Sequence, residues 1–122
     1  MATATAVRYV LAVHDVGRSS KWYQDVLGFE EVFALGDDWR FLKFGACFLM
    51  LGQCPDALPA TDLGDHSYFA YWDVDDAQAL YDKWKSTGVE MVKQIKDEPW
   101  GQREFGFHTT DGHRVMVGQR IN

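Results

Sequence analysis

The residues of this 122-residue chain whose chemistry could reach beyond packing are four histidines, two cysteines and one acid, Glu104, that directly follows Arg103. His14 and His113 fall at a strand end and in a turn, where solvent exposure is the simplest reading, and His108, beside Thr109, ends a strand outside any pocket. Neither cysteine and no serine carries a local signature that pairs it with a histidine base, so nucleophilic catalysis has no support beyond the presence of the residues. Cys47 and Cys54 are seven positions apart and Cys47 opens an apolar strand, which favours two reduced thiols over a disulfide. Glu104 could act as a general base in a cleft, or as the partner of a hydrogen bond or ion pair with Arg103 or Arg8. The rings make a stronger case. Eight Phe, five Tyr and five Trp make up 15% of the chain, and such side chains bury large areas while offering flat faces to a ligand. Trp100, in the loop Glu98-Pro99-Trp100-Gly101, and Trp39, beside Gly36-Asp37-Asp38, could each wall a site for a planar molecule. For Trp39, anchoring its own loop is an equal alternative.

The elements that must position these residues are written twice in outline. His14-Asp15-Val16 and the helical run Arg18 to Leu27 return as Trp72-Asp73-Val74 and the run Asp76 to Trp84. A shift of 58 positions sets Asp15 on Asp73, Trp22 on Leu80, Tyr23 on Tyr81 and Val26 on Trp84, so the apolar faces of the two helices coincide. On this register the second helix runs two residues further before Gly88, the counterpart of Gly28. The spacing predicts strands over 7–13, 29–35, 39–44 and 47–51, then over 66–72, 89–95, 102–108 and 114–119. One domain, 1–122, therefore contains module one at about 7–52, a linker at 53–65 with Pro55, Pro59, Gly64, Asp56, Asp62 and Asp65, and module two at about 66–119. Each module reads β-α-β-β-β. Half-domains of about 60 residues are marginal alone, so they are expected to pack together and share a cleft.

A net charge of -6 argues against nucleic acid, whose phosphates demand basic patches, and mildly favours neutral or cationic small partners. No apolar run approaches the roughly 18 residues of a membrane span. Met1-Ala2-Thr3-Ala4-Thr5-Ala6 lacks the basic start and apolar core of a signal peptide, and the expected location is the cytoplasm.

Two tandem βαβββ units with Trp22-Tyr23-Gln24-Asp25-Val26-Leu27-Gly28-Phe29 in the first resemble the vicinal oxygen chelate superfamily of glyoxalases, extradiol dioxygenases, fosfomycin-modifying enzymes and bleomycin-resistance proteins. Glu98-Pro99-Trp100-Gly101-Gln102-Arg103-Glu104-Phe105 followed by Asp111-Gly112 is most similar to the bleomycin-resistance branch. The resemblance covers Val7 to Gln119 and implies an α+β fold in which a mixed sheet curls around a cleft, often completed by a dimer partner. It also implies where a divalent metal would be held in the family's enzymes. The first such position, seven residues before Asp15, is Arg8, a permanent cation. Two more fall near Met50 and on Met116, whose thioethers are poor ligands for hard ions. The fourth depends on register: the 58-residue shift points to His66, the family pattern to Phe69.

Even the register with His66 leaves a single ligand, so no metal or other cofactor is expected. Arg8, Val10 and Ala12 share the side of the first strand that the comparison assigns to the cleft, and alternation adds Phe48, Met50 and Met116, with Phe69 and Tyr71 in the family register. The alternative is that these side chains merely fill the sheet as core. The reading adopted is a homodimeric small-molecule binding protein, with no catalytic residues, that takes an apolar or aromatic ligand, cationic ones included, on Arg8, Trp39, Phe48, Met50, Phe69, Tyr71, Trp100, Arg103 and Met116. A metal-dependent lyase or dioxygenase is the alternative.

Overall fold

The structure is a computed structural model that describes residues 2–64 and 66–122, so Met1 and the linker acid Asp65 lie outside the described residues. The chain divides into two units, Met1–Ala57 and Leu58–Asn122. The first contains β1 (Tyr9–Val13), α1 (Val16–Trp22) continued by a π-helical turn (Tyr23–Leu27), β2 (Glu30–Leu35), β3 (Trp39–Phe44) and β4 (Cys47–Gln53). The second opens with a 3-10 turn (Ala60–Leu63) and continues with β5 (Tyr68–Asp73), α2 (Ala77–Ser86), β6 (Met91–Asp97), β7 (Gln102–His108) and β8 (Arg114–Arg120). Each unit holds one open four-stranded sheet, ordered β1-β4-β3-β2 and β5-β8-β7-β6. The pairs β1–β4 and β5–β8 are parallel and the rest antiparallel, so the architecture is α+β with two tandem βαβββ modules. Among the described residues no helix is long and apolar enough to cross a membrane.

Alternation along the strands separates a packed face from an open one. In the first unit Leu11, Val13, Leu42, Leu49 and Leu51 are buried, together with Val16, Tyr23 and Leu27 from the helical segment. On β1, Val10, the neighbour of Leu11 on the opposite face, is 62% exposed. In the second unit Phe105, Phe107, Val115 and Val117 have no exposure, and Trp84 of α2 packs on them with ring centroids 6.0 Å from Phe105 and 5.3 Å from Phe107. Cys47 and Cys54 are free thiols, and burial pushes the Cys47 thiol up to about 12.

The internal repeat is real, but its register is 61 positions rather than 58. Asp15 caps α1 by accepting from Arg18 N, and Asp76, not Asp73, caps α2 by accepting from Ala79 N. Such a cap is worth about 1 kcal/mol. Val16 N donates to Gln53 Oε1 at 2.8 Å, and Ala77 N donates to Gln119 Oε1 at 3.0 Å, so a glutamine from the last strand of each module satisfies the first helical N–H. The same shift superposes the fully buried Tyr23 on the fully buried Trp84. The helices also end differently from expectation. Phe29 N reaches back to Tyr23 O, six residues, whereas Val89 N reaches Trp84 O, five residues. The π-helical turn therefore inserts one extra residue into the first module before the left-handed glycine, Gly28 against Gly88.

Candidate functional site

The open face of the first sheet follows directly from its register. Val10 lies beside Met50, Ala12 beside Gly52, Phe41 opposite Met50 and Trp39 opposite Gly52, while Phe48 faces Lys43. Phe33 continues the face on β2, its ring 5.6 Å from Phe41. Gly52 is where this face comes closest to a ring: a Cβ there would stand 3.1 Å from two carbons of Trp39, so the indole lies on the sheet over the glycine. Trp39 is thus half-buried and packed on its own module, and its exposed edge helps line a hollow of about 300 Å³ with Val10, Ala12, Asp38 and Cys54. Arg8 stands just before β1 and is exposed.

The second open face is more polar at one end. Tyr68, Phe69, Ala70, Tyr71, Glu104 and Met116 line a hollow of about 410 Å³. Two glycines admit its rings: a Cβ at Gly106 would come within 3.2 Å of the Tyr68 hydroxyl, and one at Gly118 would collide with the Tyr71 hydroxyl. The Tyr71 hydroxyl donates to Glu104 Oε2 at 2.7 Å and accepts from Gln102 Nε2 at 3.1 Å. Lys93 Nζ donates to Glu104 Oε1 at 2.8 Å, lies 3.3 Å from Glu98 Oε1, and stands 5.8 Å from the centroid of the Trp100 ring.

Burial opposes the charge on Glu104, yet the hydrogen bonds from Lys93 and Tyr71, with a smaller one from Trp100, hold its carboxyl below the usual range. Burial likewise opposes the charge on Lys93, but Glu104 and Glu98 outweigh it and raise the ammonium above its ordinary value. Burial first, then the bond to Glu104, pushes Tyr71 up to about 12. At neutral pH the cluster is therefore a carboxylate, an ammonium and a neutral phenol.

Phe48 and Met50 thus share one open face, Phe69, Tyr71 and Met116 share the other, and Trp100 adjoins the second through Lys93 and Glu104. Arg103 does not join them. It alternates with Gln102 and Glu104 on β7, so it points to the opposite side of the sheet, where Nε donates to Asp97 Oδ1 at 2.6 Å. The partners expected for Glu104, Arg103 or Arg8, are replaced by Lys93 and Tyr71. Lys93 escaped the sequence reading because β6 meets β7 through two register shifts, which no local pattern announces. His14 is not solvent-exposed as expected: it is half-buried, with Nε2 2.7 Å from Ala57 O. His113 is half-buried as well, its ring 5.9 Å from Phe69. His108 ends β7, 3.5 Å from Glu90.

Residues 5–117 match the model of the glyoxalase/bleomycin resistance protein/dioxygenase superfamily, and the chain belongs to that superfamily. Three solved structures show the fold it shares. The bleomycin-binding protein from bleomycin-producing Streptomyces verticillus, solved with copper(II)-bleomycin, is 23% identical with a TM-score of 0.71, over 100% of this chain and 99% of that one. TnmS3, an antibiotic binding protein from Streptomyces sp. CB03234, is 21% identical with a TM-score of 0.75, over 98% of each. The fosfomycin resistance protein FosX from Listeria monocytogenes is 16% identical with a TM-score of 0.76, over 97% of this chain and 94% of that one. No curated protein sequence matches the chain.

The superfamily's enzymes imply a metal, and the residues at the implied positions do not fit one. The 61-residue shift carries Arg8 onto Phe69, while His66 precedes β5 and is exposed. Met50 and Met116 offer only thioethers. Glu104 spends both oxygens on Lys93 and Tyr71. Among the described residues no three of His, Cys, Asp and Glu are grouped so as to hold an ion.

Proposed function

We propose that the chain is a small-molecule binding protein of the bleomycin-resistance type, which holds an apolar or aromatic ligand on its open sheet faces without a metal and without transforming it. The observation that carries this reading is the second open face: a hollow of about 410 Å³ lined by Phe69, Tyr71 and Met116, with the 64%-exposed ring of Trp100 beyond Glu104. Such a surface offers ring faces and few polar anchors, which suits a flat organic molecule. The antibiotic-binding relatives support the same class. We place the protein in the cytoplasm, in keeping with two free thiols, and assign it no nucleic-acid or membrane partner, in keeping with its charge of -6.

Titration with planar aromatic compounds is expected to quench tryptophan fluorescence saturably, and Trp100→Ala to remove most of that quenching. A panel that neither quenches nor raises the melting temperature would overturn the reading, since any ligand that binds only the native state must stabilise it. The metal-dependent lyase or dioxygenase reading rests on the glyoxalase and dioxygenase members that the superfamily's description names. It requires about one equivalent of tightly held divalent ion per chain, as catalytic sites of this kind retain. Elemental analysis after dialysis is expected to find far less.

We also propose a two-fold homodimer, because β1 and β2, and β5 and β6, leave four open sheet edges that a second copy can cover. Sedimentation at micromolar concentration is expected to give twice the 13.9 kDa chain mass. A monomer would refute the dimer and leave the ligand to be held by one chain.

A further inference from the structure

We infer that Lys93 is a specificity-determining residue: its ammonium is a resident cation that takes the place a cationic ligand would seek at Trp100, so the site selects neutral planar rings over planar cations. The inference rests on the binding function proposed above and names the charge class of its ligand. It narrows the expectation drawn from net charge, neutral or cationic partners, to neutral ones, because what a ligand meets is the local arrangement.

Three observations converge on Lys93. Its Nζ stands over the Trp100 ring at 5.8 Å from the centroid, so the ring already carries one cation–π contact. A second cation stacked on the far face would meet a ring polarised away from it and a like charge across the ring's thickness. Next, the two carboxylates that could attract a cation are buried and already engaged. The Glu98 and Glu104 side chains are only 8% and 6% exposed, both are bound to Lys93, and the second oxygen of Glu104 is taken by the Tyr71 hydroxyl. A ligand cation would have to displace an ammonium held at 2.8 Å. Finally, Lys93 spends two of its three N–H groups on these acids and keeps one, while the Tyr71 hydroxyl spends its proton on Glu104. The donor that Lys93 keeps suits a ring nitrogen or carbonyl oxygen, and its charge repels an ammonium.

The test uses acridine and 10-methylacridinium, which share a ring outline and differ in charge at pH 8, titrated into the full chain by tryptophan fluorescence. Wild type is expected to bind acridine more tightly by about tenfold, in line with the size of a cation–π contact. Lys93→Met is expected to invert that preference, and Lys93→Arg, which keeps the cation, to preserve it. Because Lys93→Met leaves two buried carboxylates facing one another, the double variant Lys93→Met/Glu98→Gln, which removes one charge of each sign, repeats the measurement if the single variant does not fold. Wild-type preference for the cation, or an unchanged preference in Lys93→Met and in the double variant, would overturn the role of Lys93 and leave the binding function standing. Failure of both compounds to bind wild type and variants alike would overturn both.

Discussion

Replacing Trp84 with alanine is expected to cost about 3–5 kcal/mol, the range for deleting a large buried ring. Trp84 has no exposed surface, packs on Phe105 and Phe107, and its carbonyl accepts from Val89 N at 3.0 Å where the chain leaves α2 for β6. The substitution opens a cavity under the helix that the rigid sheet cannot fill. Native stabilities of about 5–15 kcal/mol leave little to absorb such a loss. Trp100→Ala, at a ring 64% exposed, is expected to change stability by less than about 0.5 kcal/mol. Urea unfolding of the two variants separates the cases. Equal midpoints would show that α2 is not packed as described, and the small effect of Trp100→Ala is also what lets its binding phenotype be read without a folding artefact.

The second large effect is expected at Glu104. Glu104→Ala leaves Lys93 and the Tyr71 hydroxyl without their closest acceptor, and breaking a buried pair costs about 3–5 kcal/mol. Lys93 is 28% exposed and can turn to water or to Glu98, which reduces the expected loss to about 2 kcal/mol. The pH dependence has a definite sign. The carboxyl of Glu104 is held below its ordinary value in the folded state, so its contribution is present above the ordinary carboxylate pKa of about 4.3 and is lost as pH falls through the lowered value. Lys93 and Tyr71 are both raised, so their contributions are present below pH of about 10 and are lost as pH rises, for Tyr71 toward about 12. Wild type is thus expected to lose stability relative to Glu104→Gln on acidification below pH of about 4, where the Glu104 carboxyl is the one of these three groups that titrates. Parallel wild-type and Glu104→Gln unfolding curves down to pH of about 2 would refute the ion pair.

Much of the architecture is legible in local pattern. The strand Gln102–His108 is where alternation placed it, and the packed and open faces of β1 and β4 follow from which residues are apolar at every second position. The superfamily is legible as well, because the helix ending Tyr23 to Phe29 and the run Glu98 to Phe105 are contiguous in sequence. The register of the repeat is not. Asp15-Val16 matches Asp73-Val74 letter for letter, so a 58-residue shift satisfies sequence identity, yet a residue caps a helix only where the preceding strand releases it. β5 stays paired with β8 as far as Asp73, and Val74 N still bonds Gly118 O, so the cap passes to Asp76. The π-helical turn compensates at the other end of the first helix, and its extra residue has no signature in the letters.

The candidate site divides along the same line. Phe48, Met50, Tyr71 and Met116 were readable as face residues because a strand's period of two groups them, while the family resemblance indicates which side is the cleft. The charge chemistry was not readable, since it depends on which strands lie side by side and where they slip. Arg103 is the nearest cation to Glu104 in sequence and points the other way, toward Asp97, whereas Lys93 lies eleven residues off and reaches Glu104 because β6 slips its register twice against β7. The sequence by itself determined the modules, the strand faces and the family. Only the tertiary structure decided the partners on those faces, because hydrogen bonds and ion pairs are set within a few tenths of an ångström by bulges and strand ends that local propensity does not encode.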